Sequence, residues 1–170
     1  ASGTFLNQNG LIETTNYKRY DMRFNTDIKI TSKLTGSIDL VLNESNVLRP
    51  GQGSPETIIQ RMIAYPAITP GRFDTGQWGE GWSNNNPAAQ ANDGGFNKSL
   101  TSSRVLKGTL VYKPIKDLEL LATYSNNSWG GHTRHLVNQH EIYTANTVTN
   151  SLDLVNRWPA QNSLTETRSA

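Results

Sequence analysis

The chain has no cysteine, no long apolar run and no cluster of one charge, and each absence removes a class of explanation. Without cysteine there is no disulfide, no zinc–thiolate site and no thiol chemistry, so redox evidence sets no compartment. No stretch approaches the ~18 consecutive apolar residues of a membrane helix, which excludes helical spanning. Sixteen basic against fourteen acidic residues leave a formal charge of +2, too balanced and too scattered for a nucleic-acid surface. Gly-x-Ser-x-Gly, P-loop and dinucleotide fingerprints are missing. The opening Ala1–Leu6 lacks a basic segment followed by an apolar one, so a cytoplasmic chain or an excised piece of a longer one is expected. A mean hydropathy of -0.57 ordinarily indicates a soluble protein, yet membrane barrels escape this measure because half of every strand faces water.

What is present is alternation. From Tyr20 to Ile30 nearly every even position is apolar and every odd one is charged or amide-bearing. Period two is the strand signal, and it puts Tyr20, Met22, Phe24, Ile28 and Ile30 on one face and Asp21, Arg23, Asn25, Asp27 and Lys29 on the other. The pattern outlasts the ~5–6 residues of an ordinary strand and reaches the ~9–11 that a tilted strand needs to cross a bilayer. After Thr31-Ser32-Lys33, too short for anything but a hairpin turn, Ile38, Leu40 and Leu42 continue the apolar face and Asp39 and Asn43 the polar one, with Val41 as the intruder. A second hairpin, turning at Pro114–Asp117, carries Leu110 and Tyr112 on one arm and Leu120 and Tyr124 on the other. The reading is an all-β antiparallel meander of long amphipathic strands, part of a transmembrane β-barrel. Strands are expected near 1–8, 17–31, 34–46, 104–113, 118–128 and 161–170. The lipid-facing set is Tyr20, Met22, Phe24, Ile28, Ile30, Ile38, Leu40, Leu42, Leu110, Tyr112, Leu120 and Tyr124. The lumen-facing set is Asp21, Arg23, Asn25, Asp27, Lys29, Asp39 and Asn43, where cross-strand ion pairs or contacts to an absent plug are expected rather than substrate contacts. Tyr20, Tyr112 and Tyr124 resemble an interfacial aromatic girdle.

Short turns alternate with two long loops, 47–103 and 129–160, an asymmetry that membrane barrels share. One short helix is expected in the first loop, because Ser54 suits an N-cap, Pro55 the first helical position and Glu56 the positive helix end, while Pro66 stops the run. Trp129 and Trp158 bracket the second loop and read as anchors at the membrane–water boundary.

Candidate chemistry is sparse. His132, His135 and His140 lack the carboxylate or thiolate partners of a metal site, so no metal and no cofactor are expected. Glu56, Asp74, Glu80 and Asp93 share one loop without the pairing a glycosidase needs, so no enzyme activity is expected. Phe73, Trp78, Trp82 and Phe96, interleaved with Asn and Gly, are the best candidates for a ligand surface, since flat rings stack on sugars and amides bind hydroxyls. The competing and favoured role is to pack the loop against itself or a partner, because a loop this long must bury something to be ordered.

The order of several strings is more specific than any one of them: Tyr17-Lys18-Arg19-Tyr20-Asp21-Met22-Arg23-Phe24-Asn25-Thr26-Asp27, then Lys33-Leu34-Thr35-Gly36, Ala64-Tyr65-Pro66, Asn86-Pro87 and Tyr112-Lys113-Pro114-Ile115-Lys116-Asp117-Leu118, all preceded by Phe5–Ile12. Taken together the chain resembles the SusC/RagA-like TonB-dependent outer-membrane transporters over essentially its whole length. The resemblance implies a barrel of about 22 strands with a plug, in the bacterial outer membrane. It also implies outer-membrane lipid around the wall, a SusD-like lipoprotein partner, coupling to the TonB system through the plug, and a glycan or peptide substrate. On that plan the 170 residues are a barrel-wall segment of a nutrient importer, with the plug and remaining strands absent. A soluble carbohydrate-binding β-sandwich is the alternative, and it requires a second sheet over the apolar face.

Overall fold

The computed structural model describes residues 1–81 and 85–169. In chain order the elements are β1 (Ser2–Asn9), β2 (Asn16–Lys29), β3 (Leu34–Pro50), α1 (Pro55–Ile63), β4 (Trp78–Gly79), α2 (Pro87–Asn92), β5 (Gly95–Ile115), β6 (Leu118–Val137), β7 (His140–Asn146), β8 (Ser151–Trp158) and β9 (Ser163–Ser169). Six strands form one antiparallel sheet in the order β1-β2-β3-β5-β6-β9, and it is open at β1 and β9. A smaller sheet, β4-β7-β8, pairs β4 parallel to β7. The chain is therefore all-β, an antiparallel meander with two short helices.

The strands run further than alternation alone indicates. β3 reaches Pro50, β5 begins at Gly95 and β6 ends at Val137, so the connections shrink from 47–103 and 129–160 to 51–94 and 138–162. Segments such as Gly95–Ser103 are rich in Ser, Asn and Gly and lack an apolar phase. They are strands because they pair with β3 on one side and β6 on the other, a tertiary override of weak propensity. The second connection is not irregular either, since it contains the β7–β8 hairpin.

The expected helix forms as α1, and a second one, α2, joins it. Ser54 is the N-cap of α1, its Oγ accepting from the Thr57 N–H at 3.2 Å. Its hydroxyl holds the Glu56 carboxyl below the usual range, helped by the Glu56 backbone N–H. α2 repeats the design with Asn86, whose Oδ1 accepts from the Ala88 and Ala89 N–H groups. Ile58 and Ala91 from the two helices bury against Ile12 of the β1–β2 turn, and the Thr14 hydroxyl donates to the Ala91 carbonyl at 2.9 Å. The only compact apolar cluster among the described residues thus lies at the long-loop end, off the sheet.

The opposite end is made of tight turns. Thr31 Oγ1 accepts from the Lys33 and Leu34 N–H groups, and Lys33 Nζ donates to the Pro114 carbonyl at 2.8 Å, tying the two short hairpins together.

At the long-loop end the strands exchange into loops through glycine. The Gly51 N–H donates to the Gly95 carbonyl (3.0 Å), and the Asn138 N–H to the Gly94 carbonyl (3.2 Å). Gly95 has φ +91°, and a Cβ there would collide with the Leu136 carbonyl oxygen. Gly95→Ala is therefore expected to cost at least about 2 kcal/mol, combining a strained backbone with a backbone clash. Urea unfolding in detergent, followed by tryptophan fluorescence, checks this; an unchanged midpoint would mean the junction yields freely.

Candidate functional site

Registers decide which side chains share a face. Met22 lies opposite Leu42, Phe24 opposite Leu40, Ile28 opposite Gly36, and these continue to Leu106, Leu110 and Tyr112 on β5 and to Leu120, Ala122 and Tyr124 on β6. All twelve residues expected on the apolar face fall on one side, Ile30 just past the end of β2. Ten of them remain 41–66% exposed, with Leu40 and Leu42 half-buried. The polar set Asp21, Arg23, Asn25, Asp27, Lys29, Asp39 and Asn43 occupies the other side. There Arg19 holds Asp21 at 2.8 Å and Asn43 Nδ2 donates to the same carboxylate. Asp21 is thus satisfied from its own strand and by an amide rather than by a cross-strand cation, whereas a cross-strand ion pair does form between β5 and β6, Lys113 with Glu119 at 3.0 Å.

Four placements differ from expectation. Tyr20 and Tyr112 mark opposite margins of the apolar band, but Tyr124 sits in the row of Thr26, Ile38 and Gly108, within it. Trp129, 55% exposed, shares the row of Asp21, Asn43 and Ser103 and so projects from the polar face, against Gly131. Trp158 belongs to β8 and pairs with His140, away from the band. Val41 is joined on the polar face by Val105, directly opposite, and by Val111 and Leu121.

The long-loop end holds a cleft of about 760 Å³. Every connection at that end reaches it: Thr14 from β1–β2, Trp78 and Asp93 from β3–β5, and Gln139, His140 and Glu141 from the chain leaving β6. Two of the aromatic candidates, Trp78 and Phe96, line it, and Phe73 does not. Trp82 lies outside the described residues. Trp78 is fixed on two sides, its indole N–H donating to Asp93 and its ring carrying the Arg72 guanidinium 4.7 Å from the centroid.

Tyr143, Glu141 and His140 complete the cleft and were not anticipated as a site. Their strand alternates, with His140 and Ile142 buried and Glu141 and Tyr143 half-exposed, a pattern present in the sequence but short. The Tyr143 hydroxyl donates to Glu141 Oε2 at 2.5 Å and Arg157 Nε to Oε1 at 2.8 Å. These donors, the tyrosine foremost, hold the Glu141 carboxyl below its usual range, and the same bond raises the Tyr143 phenol. The three histidines do not converge: His132 and His135 point to opposite faces of β6, His135 Nε2 donates to the Gly51 carbonyl at 2.7 Å, and His140 sits beside the Gln52 amide. No group of three metal-ligating side chains occurs among the described residues.

Comparison with protein-family models, with curated proteins and with solved structures returns no match.

Burial lowers the His140 pKa below 6.5, with Asp93 opposing more weakly. A histidine depressed by folding stays neutral in the native chain while the unfolded chain takes up a proton, so stability is full above about pH 6.5 and falls as the pH drops below it. His140→Asn should flatten that dependence between about pH 7 and 5. Unfolding midpoints measured across this range for both proteins check it, and parallel curves would remove His140 as the cause.

Proposed function

We propose that this chain is barrel wall from a TonB-dependent outer-membrane importer of the SusC/RagA-like kind, contributing a lipid-facing band, a lumen-facing surface and an extracellular ligand-collecting end. One observation carries the reading: a continuous apolar face that keeps a single phase across four neighbouring strands and is left uncovered by any other element among the described residues. In water such a face is an aggregation surface; in lipid it is the requirement for spanning. From Leu34 to Leu42 the band runs about 27 Å along β3 at ~3.4 Å per residue, which a tilt of 35–45° reduces to about 20 Å, close to the ~25 Å of outer-membrane barrels. The tight turns lie at one end and the long connections at the other, as periplasmic and extracellular ends do in such proteins.

Two open edges of the sheet call for further strands, and the importer reading supplies them from the rest of a barrel. In this role the wall carries out no reaction. Transport would be driven by the TonB system acting through a plug, with a SusD-like lipoprotein over the loops and a glycan or peptide as cargo. The sandwich alternative needs a second sheet against the apolar face, whereas the three strands β4, β7 and β8 leave that face exposed.

Phe24→Arg or Leu40→Arg should cost roughly 2–4 kcal/mol of membrane stability, while Asn25→Arg on the opposite face should cost under about 1 kcal/mol. Insertion into lipid vesicles and extraction with and without detergent measure this. Equal insertion of all three variants, or solubility without detergent, would sink the assignment of the outward face.

A further inference from the structure

Charges that lie scattered along the sequence are gathered by strand pairing, and we infer that the outward face just above the apolar band is a binding site for a phosphorylated glycolipid of the surrounding membrane. This rests on reading the band as lipid-facing. Continuing from Met22 and Leu42 toward the long connections, that face presents Lys18 on β2, Lys98 and Arg104 on β5, Arg134 on β6 and Arg168 on β9, against the carboxylates of Glu44 and Glu166. Four of these five cations are exposed and Lys18 is half-buried. Among the described residues Arg134 alone of the five is held in an ion pair, by Glu166 at 3.2 Å. At the same level the polar face of the strands has Arg19, Arg49 and Asp21, of which Arg19 and Asp21 pair with each other. Toward the tight turns, the outward rows from Leu34, Tyr112 and Leu120 up to Leu40 and Leu106 hold no charged residue. The cations therefore mark one leaflet, the one beside the long connections, where lysine and arginine side chains are stabilised by anionic headgroups.

The depth of the patch selects the headgroup. Arg104 is level with Leu42, in the last apolar row, whereas Lys98 and Arg134 are level with Leu48. That offset of six residues is about 20 Å along the strand at ~3.4 Å per residue, or about 15 Å along the membrane normal at a tilt of about 35–45°. A phospholipid headgroup layer is only about 5–7 Å deep, so an anion that meets both levels must extend its charge outward through sugars. The lower level also offers a seat for an acyl chain. A depression of about 700 Å³ is lined by Phe5, Tyr20, Met22 and Leu42 together with Arg104, and Gly3, opposite Met22, has no side chain to fill it. There the rings and aliphatic chains would cover hydrocarbon while the guanidinium fork takes a phosphate. Glu44 lines the same depression without an ion pair to Arg104, and so opposes the anion.

Lipid retention by the detergent-solubilised chain tests this. Non-ionic micelles carry equal amounts of a bis-phosphorylated diglucosamine lipid and of the same lipid stripped of its phosphates, with phosphatidylglycerol as a third probe. The phosphorylated glycolipid should be retained at least about tenfold more than its stripped form, and more than phosphatidylglycerol, with a preference that shrinks as salt rises from about 0.05 to 0.5 M. Arg104→Gln and Lys98→Gln should each lower the preference about fivefold. Glu44→Gln should raise it, and Arg49→Gln on the polar face should leave it unchanged, circular dichroism confirming that each variant is folded. The phosphorylated disaccharide without acyl chains should not displace the lipid at equal concentration. Equal retention of the two glycolipids, equal retention of phosphatidylglycerol, a loss with Arg49→Gln as large as with Arg104→Gln, or displacement by the free phosphosugar overturns the inference. None of these outcomes touches the importer reading, which stands or falls on vesicle insertion; a chain that retains the lipid in micelles but does not insert would end that reading alone.

Discussion

Side-chain parity along the paired strands is the constraint on which the rest of this structure depends. From β2 through β3 and β5 to β6, even residues lie opposite even residues, so one phase is held across the sheet, and the irregularity between Tyr112 and Ile115 falls at the very end of β5. A slip of one residue between β3 and β5 would exchange Leu106 and Leu110 for Lys107 and Thr109 on the apolar side. Few other forces resist such a slip. Among the described residues the sheet has no apolar layer over either face, and its ion pairs, such as Arg134 with Glu166 at 3.2 Å, are exposed and contribute at most about 1 kcal/mol each. Main-chain pairing and the medium around the apolar face must do what a core does elsewhere.

The glycines at the loop end depend on the same parity. Strands β3 and β5 stay in register up to Pro50 opposite Phe96, and only then does Gly51 turn beneath Leu136 and Gly95. Because Gly51, Gly94 and Gly95 have no side chains, three strand ends approach closely enough for Gln52 Nε2 to reach the Asn138 carbonyl at 2.6 Å. That contact sets where His140 begins β7, and hence where Glu141 and Tyr143 face the cleft.

How much of this could be read from residues alone follows from period and length. The band was legible because Tyr20–Ile30 alternates well beyond the ~5–6 residues of an ordinary strand, and α1 because Ser54, Pro55 and Glu56 are local signals. The upper strands were not, since Gly95–Ser103 and Gly130–Val137 owe their conformation to neighbours more than forty residues distant or to each other across the sheet. Trp129 was misplaced for a related reason: its position beside a long loop suggested a boundary, whereas only the register tells that it is odd-phased and projects with Asn43 and Asp21. Trp78 and Phe96 were identified by type, but their meeting with Tyr143 and Glu141 is tertiary and left no trace in local sequence.

The overshoot of the strands past the apolar band gives the two regions their separation. On the face that carries Met22 and Leu42, the next rows contain Glu44, Lys18, Asn46 and His132, then Lys98, Arg134 and Glu166, with only Leu100 and Leu48 apolar among them beyond the row of Tyr20, so the face turns mixed while the pairing continues. From Leu42 to Pro50 the strand climbs about 27 Å at ~3.4 Å per residue, several times the depth of an interfacial aromatic ring. A cleft at the top of those strands is held in water whatever surrounds the band, and its polar lining costs nothing in desolvation until a ligand arrives. The buried Ile58 and Ile142 lie at that level as well, so the loop end is ordered by a small core of its own. The same strands thus solve two solvation problems in sequence, and the change of side-chain chemistry at Glu44 and Ser102 marks where one gives way to the other.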